Sequence, residues 1–200
     1  SCTKEVLRGE GSIATETRTL AAFSGVEISG NRTAEIIFST ESKVEIIGYQ
    51  NLLGSYKSRI NGGKLYFEFP NGTKVKNDNI RLKIYTPVLS NIDMSGDTEV
   101  YVGDGFSGPV FDARLSGNSL LRLGSALYNN IVFDISGSGK IMGEPWAAKD
   151  ARVTISGSAT VEIRASQTLH ASISGSGVVH YWGNPSVTSN ISGSGSLVRH

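Results

Sequence analysis

Residues 131–158 read IVFDISGSGKIMGEPWAAKDARVTISGS, in which the tetrapeptide Ile-Ser-Gly-Ser occurs at 135–138 and again at 155–158. Across residues 94–193 a Ser-Gly pair preceded by an apolar residue recurs at a nearly regular interval, with the serines at Ser95, Ser116, Ser136, Ser156, Ser174 and Ser192. The intervals between these serines are 21, 20, 20, 18 and 18 residues. A repeat of about 20 residues is typical of solenoid proteins, in which each unit stacks on the next.

The positions around each serine alternate between apolar and polar side chains. The residue before the serine and the fifth residue after it are apolar in every copy; the two columns are Met94, Leu115, Ile135, Ile155, Ile173 and Ile191, and Val100, Leu121, Ile141, Val161, Val179 and Leu197. Alternation with a period of two on both sides of a turn predicts two short strands, each with one buried face. The glycine supplies the positive φ that a tight turn needs.

These features predict an all-β fold, a right-handed parallel β-helix (solenoid) with rungs of about 18–22 residues. Equivalent residues of successive rungs should then lie about 4.8 Å apart. The column two residues before the serine begins with Asp93, Arg114 and Asp134, so it should form a ladder of alternating charge. Like charges at that spacing would repel each other.

The first half of the chain carries the repeat less clearly. Ser29 precedes Ser95 by 66 residues, which predicts three irregular rungs of about 22 residues. We therefore expect residues 12–94 to be irregular β rungs that continue into a regular Ser-Gly β-helix over 95–200. The alternative is a small β-sandwich fused to the solenoid. Asn61-Gly62-Gly63 reads as the turn of a hairpin.

Charge and hydropathy exclude some partners. The 19 Lys and Arg residues and 18 Asp and Glu residues give a formal net charge of +1, so no overall field attracts nucleic acid. No apolar run approaches the roughly 18 residues of a membrane-spanning helix. We expect no nucleic-acid partner, and contact with a membrane only through a lipid anchor.

Cys2 is the single cysteine and follows Ser1 at the start of the sequence. A small residue before a cysteine, followed by polar residues, is typical of a bacterial lipoprotein just after its signal peptide. We therefore expect residues 1–11 to be a tail lipidated at Cys2. The protein would then be an outer-membrane lipoprotein of the cell envelope, facing the periplasm or the cell surface. The alternative is an ordinary free surface thiol.

The sequence offers few groups for catalysis. Its three histidines, His170, His180 and His200, lack metal-ligand spacing, so we expect no metal and no cofactor. Asp112, Arg114, Asp134 and Arg152 lie two or four residues before successive serines and should share one face. Paired carboxylates with arginine suit a carbohydrate-active enzyme of pectinase type. The alternative is a solvated charge ladder that holds the register of the strands.

Three aromatic residues are candidates for ligand binding. Trp146 and Trp182 each lie near a Gly-x-Pro sequence and, if exposed, could stack on sugar rings or on a partner protein. If buried, they would fill the wider corner of the coil. Tyr101 should point outward and Tyr181 inward. The expected partner is a glycan or protein surface, and the open end of the last rung predicts association between copies.

Five stretches resemble the head GIN domain family in their order and spacing: GEG at 9–11, FSGVEISG at 23–30, YTPVL at 85–89, ISGSGVVHYWGNP at 173–185 and ISGSGS at 191–196. The similarity extends over nearly the whole chain from Gly9 onward. It departs from the family's regularity at Asp97-Thr98 and Asn118-Ser119, where the second glycine of the turn is missing.

The resemblance implies a β-helical, secreted or lipid-anchored envelope protein of Gram-negative bacteria with an adhesin-like role. It supplies no catalytic residues. We therefore expect a non-enzymatic adhesin-like, binding or structural protein that displays a stacked β-sheet surface. The pectinase-type enzyme is one alternative. Lipid binding, which would need an apolar cavity inside the coil or at its end, is the other.

Overall fold

The computed structural model describes residues 4–200, which form nineteen strands and one short helix. The elements are β1 (Val6–Arg8), β2 (Ile13–Thr19), β3 (Gly25–Ile28), β4 (Asn31–Phe38), β5 (Lys43–Tyr49), α1 (Gln50–Leu53), β6 (Lys57–Asn61), β7 (Lys64–Glu68), β8 (Lys74–Lys76), β9 (Arg81–Thr86), β10 (Asn91–Met94), β11 (Asp97–Val102), β12 (Ser107–Leu115), β13 (Leu120–Leu123), β14 (Ala126–Gly137), β15 (Lys140–Gly157), β16 (Thr160–Gly175), β17 (Val178–Trp182), β18 (Ser186–Ser192) and β19 (Ser196–Arg199).

The regular half is a parallel β-solenoid, as predicted. The strands before the Ser-Gly corners pair in parallel from β10 through β12, β14, β15 and β16 to β18. Ile135 lies beside Ile155, and Ile155 lies beside Ile173. The strands after the corners pair in the same way, which places Leu121 beside Ile141. Both predicted apolar columns are therefore confirmed as ladders.

Each corner depends on its glycine. Gly137 has φ 99° and Gly157 has φ 118°, in the region that side chains rarely adopt. A Cβ atom on Gly157 would lie 2.4 Å from the carbonyl oxygen of Gly137 on the rung before it. The rungs therefore approach each other at a distance that only glycine permits.

The first half differs from the three irregular rungs that we expected. Ile28 pairs directly with Met94, so β3 and β4 form the rung next to β10 and β11. The 66-residue interval is therefore a single step along the solenoid axis. The three expected rungs do not lie between Ile28 and Met94, because within the inserted residues 39–90 only β7 and β9 continue the parallel pairing, and they do so on the far side of β3 and β4.

The inserted segment covers the end of the solenoid. β9 pairs with β4 in parallel and with β5 in antiparallel fashion, and β2 adds a further antiparallel strand to β5. β6 and β7 form the hairpin that the Asn61-Gly62-Gly63 turn predicted. β1, which lies in the expected tail, pairs with β8 instead. We call β2, β5–β9 and α1 the end cap.

One hydrophobic core runs through both halves, from Phe23 to Val179. It includes an aromatic cluster of Phe111, Tyr128 and Trp146, with ring centroids 4.9–5.4 Å apart. Where the second corner glycine is missing, Thr98 and Ser119 are buried and their hydroxyl oxygens lie 2.9 Å apart. Their hydrogen bond satisfies polar groups that would otherwise be costly in the core.

Candidate functional site

The outer surface of the strands before the corners carries a band of charged side chains. The ladder two residues before the corner runs from Glu27 through Asp93 and Arg114 to Asp134, with each pair in register. The adjacent ladder, four residues before the corner, contributes Lys64, Asn91 and Asp112. These seven residues are called the charged face. The predicted alternation of Asp93, Arg114 and Asp134 is confirmed.

Two ion pairs lie within the charged face, one across rungs and one within a strand. Gly25 has no side chain, so Lys64 extends across it and pairs with Asp93, two strands away. Arg114 Nε lies 3.8 Å from Asp112 Oδ1 on the same strand. Arg114 is also flanked by Asp93 and Asp134 in the ladder. Lys64 and Arg114 thus offset part of the repulsion among the carboxylates, which include the like-charged neighbours Glu27 and Asp93.

An open groove of about 350 Å³ crosses the charged face over four rungs. Its charged walls are Glu27, Asp93, Arg114 and Asp134, and corner serines lie along one side. Three carboxylates face a single guanidinium, so the groove is acidic overall. A volume of this size lies within the usual range of ligand pockets, about 300–1,000 Å³.

Asp112 is the perturbed carboxyl group of the face. Burial raises its pKa above the ordinary value; Arg114 opposes the shift, and Asp93 and Asp134 add to it. Asp112 Oδ1 and Asn91 Oδ1 are buried and have no hydrogen-bond partner among the described residues. Buried polar atoms of this kind need a bonding partner to offset their lost hydration.

The four residues proposed for catalysis lie on three successive strands, β12, β14 and β15. Asp112, Arg114 and Asp134 lie together, but Arg152 is in register with Val132 and His170, and Val132 separates it from Asp112. Neither Asp112 nor Arg152 lines the groove. Asp134 is diagonal to both Asp112 and Arg152, and of the four predicted residues the structure brings only Arg114 and Asp134 into the groove.

The three candidate aromatic residues lie in different surroundings. Trp146 is fully buried among Phe106, Phe111 and Tyr128, so its indole offers no surface to a ligand. The prediction that Trp146 binds a ligand is therefore wrong. The alternative, that Trp146 packs in the core, is confirmed. Tyr101 points outward, as predicted, with 45% of its surface exposed.

Trp182 is half-buried and lies on a later rung than Tyr101. Four rung steps separate the two, about 19 Å at the usual spacing, so they do not form one aromatic patch. The Trp182 ring stacks on His200 with the centroids 4.5 Å apart. His200 Nε2 in turn lies 2.8 Å from His180 Nδ1. The spacing in the sequence gave no sign of this pair, because the two histidines meet only through strand pairing.

Within residues 4–200, no set of three or more His, Cys, Asp and Glu side chains is arranged to hold a metal ion. The same part of the chain contains no helix that is both long and apolar enough to cross a bilayer. Cys2, the predicted lipid-attachment residue, lies outside the described residues.

Comparison with known families identifies the fold. Residues 22–185 match the family described as "Putative auto-transporter adhesin, head GIN domain". The chain belongs to this family. No curated protein is similar enough to the chain to serve as a relative.

Solved structures show the same fold at low sequence identity. A "putative adhesin" from Bacteroides fragilis superposes with a TM-score of 0.76 at 16% identity, covering 97% of this chain and all of that one. A "putative adhesin" from Parabacteroides merdae gives a TM-score of 0.66 at 18% identity, covering 98% and 99% of the two chains. A "Putative lipid binding protein" from Parabacteroides distasonis gives 0.62 at 17% identity, covering 98% and 100%. The head GIN fold is thus common to all three.

Proposed function

We propose that this head GIN protein is a non-enzymatic, adhesin-like protein of the cell envelope that binds a protein partner through its charged face. The acidic groove over four rungs is the observation that carries the proposal. A partner that presents basic side chains around an acidic one would complement three carboxylates and one guanidinium. Membership of the adhesin family supports the same role.

The rigidity of the solenoid suits this kind of recognition. The charged side chains project from strands that are paired on both sides, so the backbone beneath them is fixed before a partner arrives. A fixed surface loses little conformational entropy on binding. Charges arranged in register also accelerate encounter with a partner of complementary charge.

A lipid on Cys2 would hold this surface at the outer membrane. The proposal rests on the residue's position after Ser1 and on the envelope role of the family. Metabolic labelling with an alkyne-tagged palmitate, in cells that express the natural precursor, tests it. Incorporation into the wild type but not into Cys2→Ser is the expected result, and equal labelling of both would contradict it.

The adhesion proposal is tested with fluorescent beads that carry the purified protein. Beads are applied to Gram-negative cells and to epithelial cell layers at low and high ionic strength, and attached beads are counted. Attachment should fall at high ionic strength, because salt screens exposed charges. Arg114→Ala with Asp134→Asn should abolish it.

Arg122→Ala with Glu162→Gln is the matched control. Both residues lie on strands after the corners, outside the charged face, and the pair repeats the same chemical changes. Control beads should attach like the wild type. Equal loss in both double variants, or attachment that persists without Arg114 and Asp134, would contradict the proposal. Release of reducing sugar ends from polygalacturonate, if lost in Asp112→Asn, would contradict the non-enzymatic role.

A further inference from the structure

A second groove, of about 470 Å³, lies where the first corner meets the end cap. One wall is the corner itself, with Ser29 and Asn31. The other wall comes from the end of the β6–β7 hairpin and from β8, including Phe69 and Val75. This groove shares no lining residue with the groove of the charged face.

Aromatic rings form the apolar part of this end groove. The Tyr56 ring stacks on Phe67 with an interplanar angle of 9° and packs against Phe69 with the centroids 4.8 Å apart. Tyr56 and Phe67 are buried, whereas Phe69 is half-buried and keeps part of its ring at the surface. Phe69 is therefore the ring that a bound molecule would contact.

The polar groups of the end groove are balanced in charge. Arg32 donates two hydrogen bonds to the carboxylate of Asp78, at 2.7 and 2.8 Å, and its guanidinium lies over the Tyr56 ring. Glu68 pairs with Arg59 at 3.1 Å. Each carboxylate at the groove thus has a cationic partner, yet both keep lone pairs for further hydrogen bonds.

We propose that the end groove binds a neutral pyranose residue of a glycan. An apolar face of the sugar would pack on Phe69, and its hydroxyl groups would donate to the carboxylates of Asp78 and Glu68. The paired charges disfavour an ionic ligand, because an added anion would meet both carboxylates and an added cation would compete with Arg32. An acyl chain would desolvate those carboxylates without giving them a hydrogen bond.

Isothermal titration with the methyl glycosides of glucose, galactose, mannose and N-acetylglucosamine tests the site. At least one neutral glycoside should give saturable binding, and glucuronate should bind at least tenfold more weakly. Phe69→Ala should weaken binding by about two- to tenfold through the lost ring contact. Glu68→Gln should weaken it about tenfold, because a charged acceptor is lost.

Phe38→Ala is the matched control, since Phe38 is 47% exposed and lies outside both grooves. The Phe38→Ala variant should bind the sugar like the wild type. Because the Glu68 side chain is exposed, Glu68→Gln should fold even if Phe69→Ala does not. Three results would overturn the proposal. The first is that no neutral glycoside binds, and the second is that glucuronate, or laurate as a probe for an acyl chain, binds more tightly than the neutral sugars. The third is that binding survives both Phe69→Ala and Glu68→Gln. Arg114→Ala with Asp134→Asn should leave sugar binding unchanged. The proposal for the end groove and the proposal for the charged face can therefore be contradicted separately.

Discussion

Ile28 lies beside Met94 in a parallel ladder, although 66 residues separate them in the sequence. The first rung is therefore completed before the chain leaves the solenoid, and the regular rungs begin only after it returns at β10. Residues 39–90 fold over the first rung. Within them, β7 pairs with β3 and β9 pairs with β4, each on the edge opposite to the regular rungs. The insertion covers strand edges that would otherwise template aggregation.

The Arg32–Asp78 ion pair fastens the end cap to the first rung. Arg32 has a side-chain exposure of 6%, and it also donates to the carbonyl oxygen of Ile80 at 2.9 Å. Asp78→Ala leaves this buried charge without its partner, so we expect a loss of about 3 kcal/mol in the free energy of unfolding. Urea denaturation measures it.

Arg32→Met provides the comparison. It removes the charge together with its need for a partner, so it should cost clearly less than Asp78→Ala. Equal stability of Asp78→Ala and the wild type would show that the pair does not hold the cap.

Gly157→Ala should destabilise the solenoid by about 2 kcal/mol or more. The new Cβ would lie 2.4 Å from a carbonyl oxygen, on a backbone with φ 118°, and positive φ alone costs about 1–2 kcal/mol in a residue with a side chain. Gly54→Ala is the control, because its φ is −64° and its Cβ would meet no atom of the described residues within 4 Å. Thermal unfolding of the two variants should separate them, and equal midpoints would contradict the stacking at the corner.

Asp112→Asn should raise the stability at neutral pH. Burial raises the pKa of this carboxyl in the folded state, so the folded protein binds its proton more tightly than the unfolded chain does. Protonation therefore stabilises the fold, and that stabilisation is lost as the pH rises through the folded-state pKa. Midpoints of thermal unfolding, measured from pH 3 to 8, should show the advantage of Asp112→Asn at neutral pH and its disappearance in acid. An advantage that is independent of pH would contradict this explanation.

Trp146→Phe should be tolerated far better than Trp146→Ala. Trp146 Nε1 is buried and has no hydrogen-bond partner within residues 4–200, and an unsatisfied polar group costs about 1–3 kcal/mol. Phenylalanine removes that cost while filling most of the space, so we expect a loss below about 1 kcal/mol; alanine should cost about 3–5 kcal/mol through its cavity. Chemical denaturation measures the free energy of unfolding of both variants. If Trp146→Phe lost as much stability as Trp146→Ala, the explanation based on an unsatisfied indole nitrogen would be contradicted.

The repeating half could be predicted from the sequence because each rung repeats the same local pattern. Alternation around the corner determines which face of each strand is buried, and the period determines which residues become neighbours. The ladder through Asp93, Arg114 and Asp134 followed from the same register. Thr98 and Ser119 departed from the glycine pattern, yet the first glycine of each corner, Gly96 or Gly117, still has positive φ, and the two hydroxyl groups bond to each other.

The end cap and its groove could not be predicted in this way. Arg32 and Asp78 are 46 residues apart, and Tyr56 meets Phe69 across the end of a hairpin. No period connects these positions, so their contacts depend on how the insertion folds against the first rung. The burial of Trp146 was equally undetermined, since an isolated tryptophan near a proline fits either a core or a surface.

The rung order is tested most directly by the distance between spin labels on Ser29→Cys and Ser192→Cys, measured by pulsed electron paramagnetic resonance in a Cys2→Ser background. Six rung steps separate these two corner positions, which at about 4.8 Å each predicts a narrow distribution near about 29 Å. A distance near about 38 Å, the value for eight steps with residues 39–90 coiled as further rungs, would contradict the account.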